Sequence, residues 1–488
     1  MKKFRPSPLL FLTVCVILAV LLAYLTGFFP FLNRVELDTV DLRFRIRGNI
    51  QPGSEVVLAV VDEKSIAAEG KWIWPRSKMA ELVSRVSEAG ARVIAFDIGF
   101  LEKDAGDRAV IQTIEAIETR LRELGKDGEE IKEYLADLRE KASLDKMLAE
   151  AVKNSSAKVV LGYFFHTFTE DNDHLTQETL DIHEKNIQMG VYSFQNPGID
   201  LGLIPLIHGI YPQSNIPEIS QSAEFAGYFN MAPDSDGGVR SIPTVIHFKD
   251  KLYAPLALMA AAAYLDSSLS VGLDDLGVHS ISVGRISIPV NSEGKMAINY
   301  RGGERTFLHV PITDILSGKV SQETLKDKIV IVGVTAIGIY DLRVTPFESV
   351  FPGVEIHANV VDNILTQDFV QRPDWMFLWD IAAILISGLF LGITLPRLGV
   401  VYGTLITCIL FFGYGGIGQH LFSNNGLIIN LVYPMAVMLL VYMVVTAYQV
   451  LVESRQKRFI KDAFSRYVAP SVVKKLIESP ENLRLGGE

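Results

Sequence analysis

Three apolar runs toward the end of the chain constrain its fold most. They are WMFLWDIAAILISGLFLGITL from Trp375, GVVYGTLITCILFFGYGGIG from Gly399 and LIINLVYPMAVMLLVYMVVTAYQVLV from Leu427. Each is about as long as the ~20 residues with which a helix crosses a bilayer core. Lipid offers no partner to a backbone N–H or C=O, so each run must be helical. A fourth run, Leu9 to Phe29, follows Lys2, Lys3 and Arg5. A cleaved signal peptide would have a shorter apolar part and small residues at a cleavage site. PFLNRVELDTVD follows instead, so this run is expected to remain as an anchor. The runs set the expected boundaries: a cytoplasmic N-terminus and first span over 1–29, an outer domain over 30–374, three spans over 375–452 and a cytoplasmic linker over 453–488.

Charge gives the orientation. Lys2, Lys3 and Arg5 precede the first span, Arg397 lies in the PRLG loop, and Arg455, Lys457, Arg458 and Lys461 follow the last span, whereas the QHLFSNNG loop has no Lys or Arg. Basic loops stay on the cytoplasmic side. All four spans then agree on a multi-pass chain in the cell (inner) membrane, with both termini cytoplasmic and 30–374 extracytoplasmic. Trp375 and Trp379 suit the outer interface, and Asp380 is expected within reach of the headgroups. The net charge of -10 comes from acids concentrated in the middle of the chain, which argues against a nucleic-acid partner. The only cysteines, Cys15 and Cys408, lie inside apolar runs. The outer domain therefore has to hold together by core burial, without disulfides, and it is long enough to do so.

The outer domain alternates strand and helix patterns. EVVLAVVDEKS is an apolar run ending in acids, and after it Met79, Leu82, Val83 and Val86 share one helical face. RVIAFDIGF, the helix SLDKMLAEAVKNSS and the run KVVLGYFF repeat the form. The expected fold is an α/β domain, mostly a parallel sheet with right-handed crossovers and helices on both faces, plus the four transmembrane helices. The charged stretch 103–142 reads as an inserted helical hairpin, and 170–225 reads only as irregular structure. GYFNMAPDSDGGVRSIPTVIHF reads as two strands joined by a glycine-containing turn, YAPLALMAAAAYL as a small-residue helix, and PGVEIHANVVDNILTQ as the closing helix before the second span.

Several segments together resemble one family: DLRFRIRG, VDEKSIAAEGKWIWPRS, ARVIAFDIGF, NYRG, KIVIVGVTAIGIYDLRVTPF and PGVEIHANVVDNIL. Their ordered series is similar to the type-two CHASE domain, the cyclase and histidine-kinase associated sensory extracellular domain, over about residues 35–370. In that family one span precedes the sensor and three usually follow. The tail FSRYVAPSVVKKLIESPENLRLGGE resembles the lead-in to class III adenylate or guanylate cyclase domains. This second resemblance implies a frame that continues past Glu488 into a cyclase, which is where Mg²⁺ or Mn²⁺ and ATP or GTP would bind. No cofactor and no catalytic residue are expected within these 488 residues. A histidine-kinase output is the rival reading, yet no histidine follows His420. A membrane-anchored solute-binding protein is the other rival, although the spans hold almost no ionisable residue.

Ligands of open parallel sheets collect outside the carboxyl ends of the strands. Asp62, Glu63, Asp97 and Thr335 end strand patterns, and with Arg76, Asp341 and His357 they are the candidate ligand-binding residues for a small charged solute. In the competing reading Asp62 and Asp97 cap the turns that follow, and Arg76 pairs with one of them. Trp72, Trp74 and Pro75 form an aromatic cluster that reads as core cover or as a stacking surface. His166, His174 and His183 lack regular ligand spacing, so no metal site is expected. The expected partners are an unidentified small-molecule or protein stimulus, the membrane, and a second copy of the chain in a homodimer.

Overall fold

The structure, a computed structural model, describes residues 8–125, 128–167, 176–194, 200–338 and 342–465. It comprises two compact units. The first holds residues 1–39, 374–422 and 429–488; the second holds 40–373 and 423–428.

In the first unit, four helices are long and apolar enough to cross a membrane: Pro8–Thr26, Met376–Arg397, Val400–Asn425 and Val432–Val452. The last continues as a helix to Ser465. Ile17, Ile384, Leu391, Val437 and Val441 form the centre of their packing. Glycines let two of the helices approach closely: a Cβ on Gly388 would stand 2.6 Å from Ile17, and one on Gly392 would stand 2.3 Å from Thr13. Asp380 is not at the headgroups but fully buried, where it accepts hydrogen bonds from the Tyr24 hydroxyl (2.9 Å) and the Asn430 N–H (3.1 Å). Glu36 accepts from the N–H groups of Leu431 and Val432, each at 2.9 Å. Two carboxylates thus satisfy the first amides of the fourth helix, whose dipole favours negative charge there.

The second unit is a mixed α/β domain. Its helices used below are α1 (Pro30–Arg47, shared with the first unit), α2 (Glu63–Glu69), α3 (Arg76–Glu88), α4 (Ala105–Glu123), α5 (Glu129–Lys141), α6 (Leu144–Lys153), α7 (Gln177–Asn186), α8 (Leu256–Tyr264), α9 (Ile312–Leu316) and α10 (Gly353–Thr366). The main strands are β1 (Val56–Val61), β2 (Val93–Phe96), β3 (Lys158–His166), β4 (Phe225–Tyr228), β5 (Leu308–Pro311) and β6 (Ile329–Val334). They run parallel in the order β5-β1-β6-β2-β3-β4, with Tyr211–Gln213 added antiparallel to the end of β3. On one face Val57, Ala59, Ile94, Phe96, Val330 and Val332 pack against Met79, Leu82 and Val83 of α3 and Leu148 and Val152 of α6. Helices α8 and α10 cover the other face. Every residue of β1 and β2 is buried, which is why both read as unbroken apolar runs rather than alternating ones.

In the parallel sheet β6 lies between β1 and β2. Local strand–helix–strand succession fixes direction and handedness but not which later strand fills the gap, and the six-residue IVIVGV, apolar toward both faces, fits that central position. Two expectations are corrected. Within 170–225, α7 is a ten-residue helix capped by Thr176, and it escaped notice because Asn186 is its only buried residue. Lastly, Phe225–Tyr228 and Ser241–Pro243 do not form a hairpin: the former joins the main sheet and the latter pairs with Lys295–Ala297. The 103–142 stretch forms α4 and α5, an antiparallel pair with Ile114 and Leu135 buried.

Helix α10 carries a buried polar stripe that holds a segment without strand partners. The N–H groups of Asn299, Arg301 and Arg305 donate to Asn363 Oδ1 (2.8 Å), Asn359 Oδ1 (2.8 Å) and Glu355 Oε2 (3.1 Å), and Phe307 N–H donates to Glu355 Oε1 (3.2 Å). Positions 355, 359 and 363 are one helical turn apart and so face one way. Arg301, buried, donates from Nε to Asp362 (2.5 Å) and from a terminal nitrogen to Thr366 (2.9 Å), and pairs with Asp368. Removing one member of a buried ion pair leaves the other charge uncompensated, at about 3–5 kcal/mol. Arg301→Met is therefore expected to destabilise the outer domain by about that much, and more than Lys64→Met, which removes a half-exposed pair with Asp314. Chemical denaturation followed by circular dichroism measures the difference.

Candidate functional site

The carboxyl edge of the sheet is where β1, β6 and β2 end side by side. Asp62 caps α2, accepting the Ser65 N–H at 2.8 Å. Glu63 Oε1 accepts the Ile337 N–H at 2.9 Å, and Thr335 N–H donates to Val61 O at 3.0 Å. Asp62, Glu63 and Thr335 are thus brought together across β1 and β6. Asp341 lies outside the described residues. One strand further on, Asp97 stands 3.5 Å from Nε2 of His357, a buried side chain on α10 whose Nδ1 has no hydrogen-bond partner. Gly333, at the end of β6, allows the first turn of α10 to sit close, since a Cβ there would lie 2.5 Å from Val354.

Arg76 belongs to a different group of residues. It pairs with neither Asp62 nor Asp97: its Nε lies 3.4 Å from Asp145, a terminal nitrogen donates to Glu102 O at 3.0 Å, and the guanidinium lies 4.9 Å from the Phe100 ring centroid. Around it three helices begin. Asp104 accepts the N–H of Arg76 (3.0 Å) and of Gly106 (2.7 Å), at the starts of α3 and α4. Asp107 accepts the Leu144 N–H (2.5 Å) and the Ser143 hydroxyl (2.6 Å) at the start of α6, and Asp145 accepts the Asp104 N–H (3.1 Å). All three carboxylates are buried. One arginine alone would not balance them, but three helix N-termini, each equivalent to about half a positive charge, offset most of the remainder. Burial, the largest influence, pushes the Asp145 carboxyl above its ordinary range.

Beside this knot lies a cavity of about 540 Å³ lined by Trp72, Phe100, Leu101, Arg76 and Asp104, among others. Its size suits a small organic ligand, with mostly apolar walls and a few polar groups. Trp74 is buried and donates to Gly70 O at 2.8 Å, while Trp72 meets it edge to face, so the aromatic cluster serves as core and as cavity wall together. Asp104, Asp107 and Asp145 were missed from sequence. The available signal was Asp or Ser ahead of each helical pattern, which marks a cap without showing that the capped ends converge.

The described residues contain no group of three or more His, Cys, Asp or Glu able to hold a metal ion. His166 stacks on Tyr211 and bonds Gln213, and His183 bonds Ser214; His174 is outside the described residues.

A carboxyl raised in the folded state takes up its proton earlier there than in the unfolded chain, so the residue's penalty fades as pH falls through the raised value. The melting temperature of Asp145→Asn minus that of the unmutated chain is therefore expected to shrink as pH is lowered from neutral toward the ordinary aspartate range of about 4. A difference that stays constant with pH would contradict this.

No curated protein and no solved structure gives a significant match to the chain. A protein family does match: the CHASE2 domain, over residues 14–395, which takes in the first two apolar helices and everything between them. With the sheet, the carboxyl-edge residues and the four apolar helices in place, the chain belongs to the CHASE2 family of extracellular sensor domains.

Proposed function

We propose that the chain is the input half of a transmembrane receptor that governs an adenylate or guanylate cyclase. The observation that carries this reading is a CHASE2 match over 14–395 in a chain whose α/β domain is preceded by one apolar helix and followed by three. In this arrangement 30–374 faces the outside and both termini are cytoplasmic. The basic residues at the two ends and in the PRLG loop support that orientation. So does the bond of the Gln371 N–H to Gly426 O (2.8 Å), which holds the uncharged loop between the third and fourth helices on the outer domain itself.

The stimulus, a small molecule, binds at the carboxyl edge, where Asp97 and His357 are the residues it meets beside Asp62, Glu63 and Thr335; Arg76 and the aromatic cavity belong to the separate group around Asp145, and Asp341 lies outside the described residues. It acts by binding one arrangement of a homodimer more tightly than another, since equal affinity shifts nothing. ATP or GTP and Mg²⁺ or Mn²⁺ are used only by the cyclase domain. The linker that supports this output lies mostly at 466–488, outside the described residues.

Expression of the intact gene, through its whole reading frame, in bacteria lacking their own cyclase is the test. Cyclic AMP or cyclic GMP is expected to accumulate, and protease added to spheroplasts is expected to cut between Phe31 and Asp374. Protection of that region overturns the orientation, and absence of both nucleotides overturns the cyclase output.

A further inference from the structure

We propose that His208 and His247 form a surface site for one divalent transition-metal ion of the kind that prefers imidazole: Zn²⁺, Ni²⁺ or Cu²⁺. Ile207–His208 pairs in parallel with Ile246–Phe248, and the register sets His208 directly beside His247. Side chains alternate along a strand. Ile246 and Phe248 pack with Tyr163, Phe165 and Tyr253, and Ile207 packs against the same cluster, which turns both imidazoles to the opposite, outer side.

The two Nδ1 atoms are 3.0 Å apart. Nitrogens bound to one metal at about 2.0–2.1 Å, at angles between octahedral and tetrahedral, stand about 2.9–3.4 Å from each other. The pair therefore already has the bite of a chelate, and a modest rotation of each ring aims both lone pairs at a shared ion. Nε2 of His247 is shielded and without a partner, so Nδ1 is the nitrogen this ring offers outward. The carboxylates of Asp250 and Asp200 are near enough to His247 to favour a cation there.

His208 is exposed, so water completes the coordination. With only two protein ligands, the affinity is expected to be micromolar rather than nanomolar. The site stands apart from the carboxyl edge, and its fate is independent of the cyclase reading.

The test uses the full chain without a histidine tag, in detergent or nanodiscs, with Zn²⁺ as the probe. Equilibrium dialysis is expected to give one Zn²⁺ per chain. His208→Gln and His247→Gln are each expected to weaken binding at least ~10-fold, about the effect of losing one of two ligands, while His183→Gln leaves it unchanged. On the unmutated chain, Zn²⁺ is expected to protect these two histidines from diethyl pyrocarbonate, read by mass spectrometry, which keeps the test independent of how the variants fold. Equal binding by both variants, or no protection at saturating Zn²⁺, overturns the proposal.

Discussion

The outer domain depends on how one buried, irregular segment finds its hydrogen bonds. Asn299, Tyr300 and Arg301 are almost fully shielded from water, and the segment through Phe307 belongs to no strand. Unpaired amides there would each cost free energy comparable to a lost hydrogen bond. Helix α10 supplies the partners from Glu355, Asn359 and Asn363, in effect replacing a neighbouring strand with a row of side chains. Arg47, at the end of α1, holds the same segment from elsewhere, donating to Asn299 Oδ1 and to Tyr300 O, each at 2.6 Å. Burial, and after it the neighbouring Arg301, brings the Arg47 pKa down to about 10. The helix by which the chain enters this domain and the helix by which it leaves are therefore both fastened to Asn299–Arg301. A rearrangement that loosened this tripeptide would release both.

Legibility from sequence followed the reach of each signal. The apolar runs were plain because bilayer crossing demands length and uniformity, and β1, β2 and β3 because burial on both faces makes an unbroken run. Placement of β6 was hidden, since more than 200 residues separate it from the strands it joins. Asp380 was misplaced toward the headgroups because its partners, Tyr24 and Asn430, are about 350 and 50 residues away. A single chain pattern cannot show which distant amide a carboxylate will cap. Arg76 was legible as a charge needing a partner, but the partner, Asp145, came from α6, which the strand-end rule did not consult.

The same reasoning separates structural acids from candidate ligand groups. Asp104, Asp107 and Asp145 are an acidic cluster only on a count of side chains; each oxygen bonded to an N–H at a helix start is doing the work of a cap. Asp62 and Asp380 are accounted for in the same way. What is left is the pair Asp97 and His357. Every other buried polar side chain on α10 is matched to an amide, an arginine or both, whereas His357 has one ring nitrogen at ion-pair distance from Asp97 and the other unmatched.

An unmatched buried imidazole on an otherwise satisfied helix is costly for stability alone, because Nδ1 or Nε2 must carry a proton and only one of them faces an acceptor. An apolar residue of similar size would fit the position without that cost. The cost is tolerable if the unmatched nitrogen is paid for when a ligand or a water reaches the carboxyl edge, where an open parallel sheet offers its binding crevice. His357 lies five residues into the helix that fastens Asn299–Arg301, so anything that repositions this ring acts on the grip that joins α1 to α10.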